Sequence, residues 1–379
     1  MTDLSFDLVC HLAGEQVLPN FIGIAQCSAT HHVIIASQRT KFLHDRLATF
    51  DRLNSVCIDL CLVEPYNLSA IRSTLAAYLE PHKSKRIAFN LTGGTKPMFA
   101  AAYQLCHELK STAFYVETTG RAVDILFPSC ERIPLRPSFA SVDDFVKLAG
   151  FSINDAGLWR CDPRRQQRAL LTDACWRFRE HLMSAKLQKL LQPWITENPF
   201  GEPFHITKGK IHAELDRHSR ATVIFDQERF VMESFGDLAA YLAGKWFEEF
   251  CYLRLSELIA HGDIKDLRIN FKPDWGNLPS RDGAQEFDLA FTDGFILNIL
   301  ECKAGFVKQV DFQKLENLAE QFGGTFGRGI LLSCFPPSDS IRKRIQSSRS
   351  VAGIFGQPVN NITTLIKNIQ PGTCLSKHP

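Results

Sequence analysis

Short apolar runs rich in β-branched residues alternate with helical patterns along the first ~140 residues. The runs are LVCHL (8–12), HVIIAS (32–37), VCIDLCLV (56–63), RIAFNL (86–91) and TAFYVET (112–118). Between them, SAIRSTLAAYLE (69–80) and KPMFAAAYQLCHELK (96–110) carry apolar residues at helical spacing. Strands separated by helices of this length predict a parallel sheet covered on both faces, a doubly wound α/β fold. AVDILFP (122–128) adds an antiparallel edge strand.

The pattern changes at about residue 140. DPRRQQRALLTDACWRFREHLMSAKLQKLL (162–191) reads as one or two arginine-rich helices, and FHITKGKIHAEL and ATVIFDQERFVMES as shorter strands around polar loops. This connector, 141–235, is open to a winged-helix-like arrangement. From 236 a new unit begins with one long amphipathic helix, DLAAYLAGKWFEEFCYLRLSELIA (237–260), and a strand, LRINFKP (267–273). EFDLAFTDGFILNILECK (286–303) reads as two strands around a turn. QVDFQKLENLAEQF (309–322) is a helix, GILLSCF (329–335) a strand and SDSIRKRIQSS (338–348) a helix. The expected organisation is therefore an α/β domain over 1–140, the connector, and a second compact α/β domain over 236–379.

Composition narrows the function classes. At 379 residues, 45% hydrophobic and 22% charged, the chain has the material for several cores, and a formal charge of +2 provides no global field for nucleic acid. Twelve cysteines without a CxxC pair argue for reduced core thiols and against a structural zinc site. Asp3 and Asp7 stand where a signal peptide would carry basic charge, and no apolar run has the length of a membrane span, so a cytoplasmic protein is expected.

Two stretches carry chemistry. In FDLAFTDGFILNILECKAG, Asp293-Gly294 is a hairpin dipeptide. Taken as a two-residue loop, it pairs Thr292 with Phe295 and Asp288 with Ile299. Strand alternation then sets Asp288, diagonal to Glu301, on the face that also carries Lys303. Two carboxylates and an ammonium on an apolar hairpin are costly unless paired or metal-bound. Phosphodiester hydrolysis needs this set: carboxylates holding Mg²⁺ or Mn²⁺, and a lysine that orients water and stabilises charge. A three-residue loop would send Asp288 to the opposite face.

FNLTGGTKPMFAAAYQ (89–104) is a strand entering a Gly-rich turn and a helix. Gly93 and Gly94 permit close backbone approach, and Asn90, Thr92, Thr95 and Lys96 supply polar groups at a strand's carboxyl end, where doubly wound sheets bind ligands. It is neither GxxxxGK[ST] nor GxGxxG, which disfavours NTP hydrolysis and dinucleotides. AGEQVLPNFIG (13–23), with Gly14, Gln16 and Asn20, and ASQRT (36–40) end on the same edge.

The Asp288…Glu301-Cys302-Lys303 spacing, after a helix carrying GKWFEEF, resembles the PD-(D/E)xK (restriction endonuclease-like) nucleases. That resemblance implies a helix acid completing the metal site, Glu248 with Glu249 as alternate, and contacts to the scissile backbone from Gln313 and Lys314. No Pro precedes Asp288, a departure from the motif. NLTGGTKPM resembles the loop of the CARF domain, the Rossmann-like sensor of CRISPR-associated proteins. It implies that Gly14, Gln16, Asn20, Asn90, Thr92, Gly93, Gly94, Thr95 and Lys96 bind a cyclic oligoadenylate across a homodimer axis. The two together resemble the CARF-fused nucleases activated by cyclic tetra-adenylate, which cut single-stranded or nicked DNA and in some cases RNA. The alternative of another class is a ligand-responsive DNA-binding regulator with a non-catalytic nuclease-like scaffold; a sensor domain that degrades its own ligand is a third.

Smaller signals read as structural. Arg160, Arg164, Arg165 and Arg168, and Arg342, Lys343 and Arg344, are expected on solvated helix faces. GGTFGRG (323–329) is expected to cap a helix, and His31-His32 to be structural.

Overall fold

The computed structural model describes residues 4–117, 121–152, 163–196, 203–235, 237–273, 286–356 and 361–376, and strands between residues 8 and 134 form one seven-stranded sheet. β1 (Leu8–Leu12), β2 (His31–Ala36), β3 (Cys57–Leu62), β4 (Ile87–Asn90) and β5 (Thr112–Glu117) are parallel. β6 (Ala122–Phe127) and β7 (Arg132–Pro134) return antiparallel, giving the order β3-β2-β1-β4-β5-β6-β7. The edge expected at 122–128 therefore belongs to β7, whose three residues ending in proline carry no strand pattern. α1 (Leu18–Gln26) and α2 (Phe42–Ala48) cover one face, α3 (Leu68–Leu79) and α4 (Lys96–Glu108) the other. α5 (Val142–Leu148) follows, started by a Ser141–Asp144 capping box.

In the connector, where one or two helices were expected over 162–191, the described residues form α6 (Pro163–Gln167), α7 (Ala169–Arg177), α8 (Arg179–Leu182) and α9 (Ala185–Thr196). Its hairpins merge into one antiparallel meander of β8 (Phe204–Lys208), β9 (Ile211–Leu215), β10 (Ala221–Phe225) and β11 (Glu228–Met232). Of the connector arginines expected on a solvated face, Arg164 is exposed, but Arg165 and Arg168 are not. Arg165 is buried over the Tyr252 ring, and Arg168 pairs with buried Glu249 at 2.5 Å. Arg160 lies outside the described residues.

The long helix expected over 237–260 is broken. α10 (Leu238–Ala240) ends in a π turn, Tyr241–Lys245, where Gly244 leaves helical backbone, and α11 (Trp246–Ala260) restarts behind it. A mixed sheet follows: β12 (Asp266–Phe271), β13 (Phe287–Thr292) and β14 (Leu297–Lys303) are antiparallel neighbours. α12 (Gln309–Gly323) leads to β15 (Gly327–Ser333), parallel to β14. α13 (Asp339–Ser347), β16 (Val351–Phe355), α14 (Ile362–Asn368) and β17 (Cys374–Ser376) complete the order β12-β13-β14-β15-β16-β17.

The cores cross the segment boundaries. One joins the connector to the α11 face of the second sheet, through residues such as Trp176, Phe225, Phe250 and Leu300. Another runs from the α1–α2 face of the first sheet through α5 to the α12 face of the second, including Phe21, Phe139, Phe145, Phe312 and Phe322. Among the described residues no helix is long and apolar enough to cross a membrane.

Candidate functional site

The strand order reverses between β1 and β4, and the loops leaving their carboxyl ends part there to form a crevice. A cavity of about 570 Å³ sits at this point, lined by Gly14, Glu15, Gln16, Gly93, Gly94 and Tyr115 among others. Both glycines of the β4 loop are required. A Cβ on Gly93 would lie 2.2 Å from the Leu12 carbonyl oxygen, and Gly94 has φ +79°.

The predicted polar residues divide into a surface set and a supporting set. Gln16, Thr92 and the glycines line the cavity. Asn90 is buried beneath it: its Oδ1 accepts from the Thr92 N–H (3.1 Å) and hydroxyl (2.5 Å), while its Nδ2 donates to His11 Nδ1 (3.1 Å). That bond makes His11 Nε2 the donor to His32 Nδ1 (2.9 Å), and His32 Nε2 donates to the Ala29 carbonyl (3.2 Å). Burial pushes both imidazoles down, His32 to about 4, so both are neutral as this chain requires. Asn20, 1% exposed, is spent on the Leu12 carbonyl, and Thr95 caps α4 and bonds the Pro65 carbonyl. Lys96 is exposed at the α4 N-terminus and pairs with no carboxylate among the described residues. Two carboxylates on the rim, Glu15 and Glu117, are bound by Arg39 and Arg132, which limits their repulsion of an anion.

In the second domain the turn is longer than the sequence suggested. β13 pairs with β14 as Leu289 to Leu300 and Thr292 to Leu297, leaving the four residues Asp293–Ile296 as the loop. Asp293 Oδ1 caps it by accepting from the Phe295 and Ile296 N–H groups. The register therefore moves by two positions, not one. Continued outward, it sets Asp288 opposite Glu301 itself, and the shared face survives because two is the side-chain period.

Glu301 is 2% exposed and held by two lysines: Lys303 Nζ donates to Oε1 (2.5 Å) and Lys314 Nζ to Oε2 (2.9 Å). Lys303 also lies 3.6 Å from Asp311. Asp288 accepts from the Cys302 N–H at 2.7 Å. Glu248 faces this cluster from the first turn of α11; Glu249 points to the other side, fixed by Arg168 and the Thr172 hydroxyl, and is excluded as the alternate. Gln313 is exposed on α12. Burial and Glu301 push Asp288 up to about 7, and burial with Asp288 and Glu286 pushes Glu248 up to about 8. For Lys303, burial opposes the charge, but Glu301 and Asp288 outweigh it and hold the ammonium above its usual range. With all three carboxylates ionised, two lysines leave the patch short of positive charge. The donors are oxygens only, as Mg²⁺ or Mn²⁺ requires, so the set fits such an ion.

A stability prediction follows from these shifts. Both folded values lie above the ordinary 3.8 of Asp and 4.5 of Glu, so this contribution is complete below about pH 4 and lost as pH rises through 7 to 8. The metal-free protein is expected to lose roughly 1–2 °C in melting temperature between about pH 5 and about pH 9, corresponding to ~1 kcal/mol. Asp288→Asn should flatten that fall, and Mn²⁺ should stabilise the parent more at the higher pH. A melting curve with the same pH slope in parent and variant would contradict the assignment.

Residues 8–145 match the model of the Card1 CARF domain. The N-terminal unit is a CARF domain with a Rossmann-like sheet. Across its length the chain superposes on protein VC1899 from Vibrio cholerae, with a TM-score of 0.75 at 17% identity over 96% of this chain and 97% of that one. Can2 from Sulfobacillus thermosulfidooxidans, solved with cyclic tetra-adenylate, gives 0.72 at 20% identity over 95% and 98%. A type III CRISPR defence DNA nuclease activated by cyclic oligoadenylate gives 0.58 at 15% over 96% of this chain and 52% of that one. At these identities the likeness is one of fold. No curated protein sequence matches the chain.

The CARF domain is tied to the second α/β domain at several points. Gln16 Oε1, on the cavity wall, accepts from the Thr325 N–H (3.2 Å) and hydroxyl (3.4 Å), and Thr325 itself lines the cavity. Sequence reasoning took Gln16 as a ligand contact and 323–329 as a cap. The cap is there, with Gly324 at φ +53°, but a pairing 309 residues apart has no local signal. The turn of the β13–β14 hairpin also docks on the CARF domain: the Gly294 carbonyl accepts from the Ser138 and Phe139 N–H groups, and Asp293 pairs with Arg121 at 2.6 Å.

Proposed function

We propose that this chain is a metal-dependent nuclease of type III CRISPR defence, switched on by a cyclic oligoadenylate bound at the CARF cavity. The observation that carries the reading is the convergence of Asp288, Glu301 and Lys303 on one face of the β13–β14 hairpin, with Glu248 facing them. Can2, similar in fold over nearly its whole length, was solved with cyclic tetra-adenylate, and a second neighbour is a DNA nuclease activated by cyclic oligoadenylate. A cavity of about 570 Å³ takes a drug-sized molecule and is too small for a ring of four nucleotides. This supports a homodimer whose two copies share one ring.

Asp288, Glu301 and Glu248 would hold Mn²⁺ or Mg²⁺, which supplies a polarised water and neutralises charge developing on the phosphate. Lys303, kept charged by its carboxylate neighbours, orients the attacking water and stabilises the phosphate oxygens. Lys314 holds the second oxygen of Glu301 and so fixes the direction in which that carboxylate points. Gly93 and Gly94 bring backbone N–H groups up to the ligand's phosphates, and Lys96, exposed at the first turn of α4 directly after that loop, adds a cation. Ligand binding drives cleavage only as far as the ring binds the cleaving arrangement better than the resting one.

The test is incubation of the full chain with plasmid, single-stranded DNA and RNA, each with and without cyclic tetra-adenylate and Mn²⁺. Cleavage that needs both additions is expected, with DNA the preferred substrate. Ligand binding without cleavage of any nucleic acid would sink the nuclease reading and leave the DNA-binding regulator.

A further inference from the structure

The opposite end of the CARF sheet, where the strands begin, carries donors that neither site uses. β2 and β3 run parallel with His31 beside Cys57 and Val33 beside Asp59. Residues 57 and 59 are two apart, so His31, Cys57 and Asp59 share one sheet face. His31 Nε2 lies 2.7 Å from Asp59 Oδ2, and Cys57 Sγ lies 3.8 Å from Asp59 Oδ1. All three donor atoms fall within 4.8 Å of one another. His82, just past α3, stands edge-on to His31 with ring centroids 5.7 Å apart, and Tyr78 donates to Asp59 Oδ2 at 3.1 Å. Cys57 departs from the expected core thiols: it is exposed at the outer strand, beside a groove also lined by His31, Asp7 and Lys85.

We propose that His31, Cys57, Asp59 and His82 bind one zinc ion, which clasps the outer strand β3 to the chain that follows α3. Tetrahedral bonds to zinc of about 2.0–2.3 Å set neighbouring donors roughly 3.3–3.8 Å apart. The separations among His31, Cys57 and Asp59 reach that by rotation of the exposed Cys57 side chain and a small shift of the imidazole that now bonds Asp59, and His82 joins them by turning its ring toward the cluster. Thiolate and carboxylate together balance the dication, and a thiolate–imidazole set selects zinc over Mg²⁺ or Mn²⁺. This separates the cluster chemically from the oxygen-only donors around Glu301. Tyr78 is already placed as an outer hydrogen bond to the carboxylate, the kind of support that orients metal ligands. In the metal-free protein, desolvation and the neighbouring Asp59 push the Cys57 thiol up, so zinc must displace its proton and affinity should rise with pH.

The experiment titrates the full chain, stripped with a chelator, with Co²⁺ and then with Zn²⁺ against a chromophoric competitor. One equivalent of Co²⁺ should give a thiolate-to-cobalt charge-transfer band, displaced by Zn²⁺. Cys57→Ser should abolish the band, and His82→Gln should weaken zinc binding at least ~10-fold. Cys57 is exposed and His82 half-buried, and metal-free melting curves establish that the variants fold. Absence of the band in the parent, its persistence in Cys57→Ser, or unchanged zinc affinity in His82→Gln would each overturn the assignment.

Discussion

Glu301→Gln is expected to lower ligand-activated cleavage at least ~100-fold while leaving cyclic tetra-adenylate affinity within about twofold. Glutamine keeps the shape of the side chain but only one oxygen acceptor, so one of Lys303 and Lys314 keeps its partner and the other faces an amide N–H₂ that can only donate. What disappears is the negative charge that both lysines and a divalent cation need. The neighbourhood magnifies the loss, because Glu301 is 2% exposed and its charge is poorly screened there. The reverse substitution pattern separates roles: Lys303→Met should cost comparable activity while metal affinity, read by calorimetry with Mn²⁺, is retained or improved. A Glu301→Gln protein that cuts at the parent rate would remove the hairpin from the chemistry, whatever the chain's ligand proves to be.

The second large effect belongs to the other end of the molecule. Gly93→Ala is expected to weaken cyclic tetra-adenylate binding tenfold or more, because the added methyl meets backbone and not a side chain that could turn away. Its Cβ would sit 2.2 Å from the Leu12 oxygen and 2.9 Å from the Gly14 nitrogen, so the β1 and β4 loops must separate. The Mn²⁺ affinity of the second domain, measured on the ligand-free protein, should be unchanged. Equal ligand affinity in parent and variant would show that the Gly-Gly loop is structural and that the ligand binds elsewhere.

Alternation and spacing carried much of both sites. The parallel strands of the CARF sheet were legible because each apolar run is short, β-branched and bounded by a helical pattern, whereas β7, three residues ending in proline, was not. The shared face of Asp288, Glu301 and Lys303 was legible because alternation fixes faces even where the pairing is off by two. Loop length was not: Asp293 makes its own turn through side-chain bonds to Phe295 and Ile296, and that competes with the two-residue turn its dipeptide suggests. Residue type also could not separate contact from support. Asn20, Asn90 and Thr95 look like ligand groups in sequence, yet burial commits each to backbone or to a neighbouring side chain. Thr325 was invisible for the opposite reason, since it reaches the cavity from the other domain. VAGIF, with a glycine at its centre, had too little periodicity to announce β16.

α12 has its second turn against Glu301 through Lys314, and its last residue leads into the Gly324-Thr325 corner that Gln16 holds. Those points are ten residues apart, about 15 Å along a single rod. A rod packed along its length by Phe312, Leu315, Leu318 and Phe322 shifts as one piece or not at all. Whatever draws Gln16 away from Thr325 therefore acts on the direction of Lys314. Linkage makes any such coupling symmetric: by whatever factor the ligand changes cation affinity at Glu301, the cation changes ligand affinity at the CARF cavity, and the near-unchanged affinity expected of Glu301→Gln is that of the metal-free protein.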